Sequence, residues 1–171
     1  GTFALSGDLA GNWGTAIGYN ALASLSFSSD TSHYNVAVGA RAGQAISTGT
    51  QNTIVGGLAG DALTVAFYNT AVGFAALSND LKGMGSTAIG HGALTAQQFG
   101  ASTNAYNTAV GLSAGAAVIS GTQNTFIGGL SGDANTTASN NVAVGHTALT
   151  ATTTGANNTA IGMQSMDANT T

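Results

Sequence analysis

Asn52-Thr53-Ile54-Val55-Gly56 is followed, 17 residues later, by Asn69-Thr70-Ala71-Val72-Gly73. This phrase decides the fold. It occurs nine times, starting at Gly14, Asn35, Asn52, Asn69, Ser86, Asn107, Asn124, Asn141 and Asn158. The starts are 21, 17, 17, 17, 21, 17, 17 and 17 residues apart. Residues 14–85 and 86–157 therefore form two 72-residue super-repeats, each of one long and three short units. Both long units carry Phe at the same place (Phe27, Phe99) and end in Tyr (Tyr34, Tyr106). Residues 158–171 begin a third super-repeat, and residues 1–13 read as an N-terminal cap or degenerate coil preceding the repeat domain of residues 14–171.

A unit of 17 residues is too short for a helix pair, and a Gly at its fifth position costs a helix about 1 kcal/mol each time. Thr-Ala-Ile/Val-Gly reads instead as a short strand ending in a turn, where Gly supplies a positive φ. A second short strand is expected over positions six to ten. A further turn is expected near position fifteen, at Gly49, Gly83, Gly121 and Gly155. One unit per coil, stacked in parallel, makes an all-β fold, a parallel β-solenoid or β-roll. At ~4.8 Å per coil, nine coils form a rod on the order of 43 Å long. The absence of Pro fits, because a stacked ladder uses every N–H.

The columns of the stack carry further expectations. Position one is Asn in seven of nine units, which suits side-chain amides bonded from coil to coil. Position four is always Ile or Val, β-branched residues fit for a packed strand face. Position eight is Ala or Ser throughout, which predicts a narrow interior. Position three, from Ala16 to Ala160, is also apolar and must face away from position four. A strand apolar on both faces is buried on both. With position four inward, position three is expected to be covered by neighbouring copies of the chain, making a homo-oligomer.

The repeated Asn-Thr-Ala-Val/Ile-Gly-x-x-Ala phrase resembles the head repeats of trimeric autotransporter adhesins and is similar to repeats of phage tail fibres. The resemblance covers residues 14 to 162. It implies a left-handed β-roll, a homotrimer, and an extracellular place on a virion tail fibre or a cell surface. The units here are longer than those of adhesin heads, and they lack one residue of the fuller adhesin phrase.

Other functions find little support in the composition. Charged residues make up 5% of the chain, against roughly 25% in a typical domain. One Arg and one Lys in a chain of net charge −4 supply no footprint for nucleic acid. No run of 18 apolar residues exists, so no membrane insertion by a helix is expected. The opening Gly1-Thr2-Phe3 reads as the start of a processed or excised fragment. Asp61 and Asp133 are equivalent but four coils apart, roughly 19 Å, too far for a carboxylate pair at about 5–9.5 Å. Gly56-Gly57-Leu58-Ala59-Gly60-Asp61 departs from the calcium-roll pattern by one residue. His91 and His146 share position six, where an ordinary exposed or interface role is expected. A Thr column at position two, broken by Val36 and Val142, is thin support for an ice-binding face.

The reading is therefore of a non-enzymatic fibre or adhesin segment without cofactor or metal. It is a rigid trimeric rod for attachment to a cell-surface glycan or protein receptor. A subunit of a self-assembling extracellular structural filament is the alternative. The four extra residues of each long unit should bulge from the rod, with Phe27 and Phe99 packing beneath. Receptor contact is assigned to Tyr34, Tyr106, His33 and Asn104, where aromatic rings meet polar neighbours.

Overall fold

A computed structural model describes residues 1–168. Nine three-residue strands, from Thr15–Ile17 to Thr159–Ile161, form one parallel sheet in the order of the units. No helix occurs among the described residues. The register is residue on equivalent residue: Thr53 faces Thr70, Ile54 faces Ala71, and Val55 faces Val72. Each unit is thus one coil of a β-solenoid. Coils one to nine begin at the nine phrase starts given above.

The turns lie at fixed positions. Gly at position five has φ between 119° and 139° in all nine coils, a region L side chains avoid. The stack imposes this choice as well, because a Cβ on Gly90 would sit 2.2 Å from the carbonyl oxygen of Gly111. The second strand expected over positions six to ten does not form. Residues at positions seven and nine take left-handed conformations, as at Leu58 (φ 59°) and Leu77 (φ 55°), and that breaks an extended run. Inter-coil bonding continues regardless. Leu58 N–H donates backward to Ala40 O (3.0 Å), and Gly60 N–H donates forward to Ala76 O (2.9 Å).

The interior corrects the expected facing of the strand. Position three points inward: Ala37, Ile54, Ala71, Ala88, Ala109, Phe126 and Ala143 are fully buried. Position four points outward, with Ile17 58% and Ile161 71% exposed at the ends of the sheet. Asn at position one explains the parity. Its amide must be buried to bridge coils, and side chains alternate, so positions one and three share the inner face. A small residue at position three leaves room for Leu at position nine (Leu22, Leu77, Leu94, Leu149). Where position nine is Gly, the space is filled from elsewhere. A Cβ on Gly60 would meet Leu63 and Ile54, and one on Gly132 would meet the ring of Phe126.

The Asn column works mainly on backbone. Asn69 Nδ2 donates to Gly83 O (2.9 Å) across its own coil, while its Oδ1 accepts from Ser86 N–H (2.8 Å) of the next. The same pair of bonds recurs at Asn35, Asn52, Asn107, Asn124 and Asn141. Direct amide-to-amide bonds occur at Asn52–Asn35 (3.1 Å) and Asn124–Asn107 (3.2 Å).

The long units bulge as expected, and each bulge has its own small sheet. Thr31–Ser32 pairs with Gly11–Asn12, and Thr103–Asn104 pairs with Gly83–Met84. Phe99 is buried, and Phe27 is half-buried against the core and the His33 ring. Residues 1–13 stack like the back half of a coil, with Asn20 N–H on Thr2 O and Leu5 N–H on Ala21 O, both 3.0 Å. Their Gly11–Asn12 strand lies 72 residues before Gly83–Met84 and pairs the same way.

One interior site is imperfect. Asn135 is buried, and neither side-chain atom has a hydrogen-bond partner. Its equivalent in the first super-repeat is Leu63, paired with the smaller Ile54 where coil seven has Phe126. Asn135→Val should fill the site with the residue that Val118 already supplies one coil earlier. The expected gain is about 1–2 kcal/mol, read as a higher denaturant midpoint.

Candidate contact surface

Because positions one and three point inward, the residues at seventeen, two, four and six make the outer surface of the sheet and its two corners. Position two contributes Thr in seven coils and Val36 and Val142 in the others. Position four contributes an unbroken Ile/Val column. Position six adds Tyr19, Phe74, Leu112 and Met163, all exposed. His91 also lies in this column, its ring stacked 5.4 Å from that of Phe74. The Thr column considered for ice binding thus shares its face with a continuous aliphatic column.

The last residue of each unit marks the opposite corner. Tyr34, Gln51, Tyr68, Tyr106, Gln123, Asn140 and Asn157 all have φ between 48° and 63°, and Trp13 of the leading segment has φ 62°. Backbone bonds hold the register from coil to coil. Gln51 N–H donates to His33 O (2.7 Å), Tyr68 N–H to Thr50 O (3.3 Å) and Gly85 N–H to Phe67 O (3.1 Å). Four rungs of this corner are aromatic and exposed: Trp13 74%, Tyr34 54%, Tyr68 61% and Tyr106 53%. The rings of Trp13 and Tyr34 stack with centroids 6.5 Å apart.

Of the residues assigned to receptor contact, Tyr34 and Tyr106 lie on this exposed corner, and Asn104 is exposed in the Thr103–Asn104 strand. His33 is the correction. It is 1% exposed, lies 5.6 Å from Phe27 ring to ring, and accepts a hydrogen bond at Nδ1 from Asn35 N–H (3.2 Å). Burial pushes its pKa down, while Asp8, 3.8 Å away, pulls it up. The side chain fills the hole left by Gly14, where a Cβ would lie 2.1 Å from the imidazole. In the second super-repeat the corresponding hole is closed differently. Ser86 and Asp80 both accept from Gln97 Nε2 (3.1 and 2.7 Å), and Asn107 Nδ2 donates to Gln97 Oε1 (2.8 Å). Both arrangements repair the Asn column where a long unit begins.

Sequence reasoning missed Trp13 and Tyr68, because it sought contacts only in the long units. The signal was present in the residue preceding each phrase start, which is aromatic at four of the nine: Trp13, Tyr34, Tyr68 and Tyr106. Asp61 and Asp133 belong elsewhere. Burial raises both carboxyls, and Arg41, 3.4 Å from Asp61, lowers that one. Among the described residues, no three His or Asp side chains converge to hold a metal, and no pocket opens between the coils. No family model, curated protein or solved structure matches the chain.

Proposed function

We propose that the protein is a non-enzymatic extracellular fibre or adhesin segment, a homotrimeric rod that carries contact residues to a cell-surface glycan or protein receptor. The observation that carries this reading is the outward Ile/Val column, unbroken over nine coils and flanked by exposed Tyr19, Phe74, Leu112 and Met163. A contiguous apolar strip of this length is far from the scattered exposure of a monomer surface. Three copies that turn these strips toward a common axis would cover them, at about 1.5–3 kcal/mol for each large side chain fully buried. The partner surface is therefore position four, not position three as the sequence suggested. The uniform inter-coil ladder supplies stiffness that does not depend on charge.

Ile89→Asp, on the central coil, tests the association directly. Its side chain lies outside the coil, so the variant should fold with the same β-rich spectrum and lose the trimer. Light scattering on the purified chain should give three chain masses for the wild type and one for the variant. A monomeric wild type removes the trimer, and mass that grows without limit with concentration favours the filament.

A further inference from the structure

The aromatic corner has features that packing does not explain. A bulky residue with positive φ is a backbone outlier, and Asn or Gly adopts that conformation far more easily. The chain itself uses Gly85, Asn140 and Asn157 at this position. Yet Trp13, Tyr34, Tyr68 and Tyr106 occupy it with their side chains more than half exposed. They accept the backbone penalty without the burial that would offset it. The coil imposes this φ on every rung, exposed Gln51 and Gln123 included, so the feature left to explain is the choice of exposed aromatic rings here.

The three tyrosines are evenly spaced, and Trp13 stands on the rung directly before the first of them, its ring stacked on that of Tyr34. Counting Tyr34 as the first rung, the aromatic residues stand on the first, third and fifth, with Gln51 on the second, Gly85 on the fourth and Gln123 on the sixth. A two-rung step is roughly 9.6 Å at strand spacing, close to the length of one disaccharide in an extended β-1,4-linked chain. The ring of Tyr106 lies against Gly85, where a Cβ would approach it to 2.7 Å. The missing side chain on that rung is thus what lets the ring settle along the corner. Aromatic faces stack on the apolar C–H faces of pyranose rings, and the Gln amides between them can both donate to and accept from hydroxyl groups. With one Lys and one Arg in the whole chain, the surface suits an uncharged ligand.

We propose that Trp13, Tyr34, Tyr68 and Tyr106 form a linear binding strip for a neutral, extended β-1,4-linked polysaccharide lying along the rod. The strip names the partner class for the attachment role proposed above and rests on that role. It requires only the coil register, not the trimer.

The test uses pull-down on suspensions of microcrystalline cellulose, chitin and β-1,4-xylan, with starch as the differently shaped control. The wild type should partition onto at least one β-1,4 polymer and not onto starch. The Tyr34→Asn, Tyr68→Asn, Tyr106→Asn triple variant puts at each site a residue the chain already uses there. It should fold with unchanged or higher thermal stability and bind at least about tenfold more weakly. Absence of wild-type binding to all three polymers overturns the strip, as does binding retained by the triple variant. A triple variant that loses both binding and the wild-type oligomeric state also overturns it, since the rings then act between copies. Light scattering on the same samples separates the two readings. A trimer that binds no polymer leaves the rod and removes the strip, and a monomer that binds polymer does the reverse.

Discussion

Gly90→Ala breaks the rod near its middle. The added Cβ would lie 2.2 Å from Gly111 O, and the backbone at φ 137° stays in a region closed to L side chains. Neither strand can move away cheaply, because Gly90 N–H is held by Val72 O and Gly111 N–H by Ile89 O, each at 2.8 Å. The expected loss exceeds about 4 kcal/mol, the size reserved for clash and backbone strain combined. In a linear array each coil leans only on its neighbours, so the fault should divide unfolding into two transitions. Urea titration followed by circular dichroism reads this directly. Gly100→Ala is the control, since a Cβ there meets nothing within 4 Å. Its unfolding curve should overlay that of the wild type, and an unchanged Gly90→Ala curve would refute the account.

Asn107→Leu should be nearly as damaging, for an electrostatic reason. Asn107 Nδ2 serves Gly121 O (2.7 Å) and Gln97 Oε1 (2.8 Å), and its Oδ1 accepts from Asn124 N–H (2.9 Å). All of these side chains are buried. Leucine strands a carbonyl, an amide oxygen and a backbone N–H at once, each worth about 1–3 kcal/mol when left unpaired. Partial relaxation should leave a net cost of about 3–5 kcal/mol, read as a lower denaturant midpoint. Asn107→Ser should fall between, because a hydroxyl can replace one of the four bonds that this side chain makes. A leucine variant as stable as the wild type would show that the Asn column is ornamental.

The solenoid was legible because two residue types report on it without tertiary context. Gly at position five announces a positive φ in every unit, and Asn at position one announces a repeated buried amide. The facing of the strand was misread because Ile and Val look like core residues, while Ala looks dispensable. The tie-breaker was in the phrase itself: if Asn points inward, so does the residue two places on. The absent second strand was harder to foresee. Leu58, Leu77 and Leu94 adopt left-handed conformations that their side chains disfavour locally, and only the closure of the coil requires it. His33 was misplaced for a related reason. Its burial depends on the missing side chain of Gly14, 19 residues away in sequence and adjacent across the stack. Tyr68 escaped notice because its short unit has no bulge, although its place in the coil equals that of Tyr34.

Residues 1–13 dock on coil one through the same small-sheet pairing that residues 73–85 make with coil five. The junction Trp13–Gly14 is therefore interchangeable with Gly85–Ser86, so excising or duplicating one 72-residue block would reunite matching surfaces. Such a gene changes length in quanta of four rungs, roughly 19 Å, and adds or removes one bulge with each. Reach and the number of bulges can then be tuned by recombination alone, as on a ruler whose divisions are copied whole.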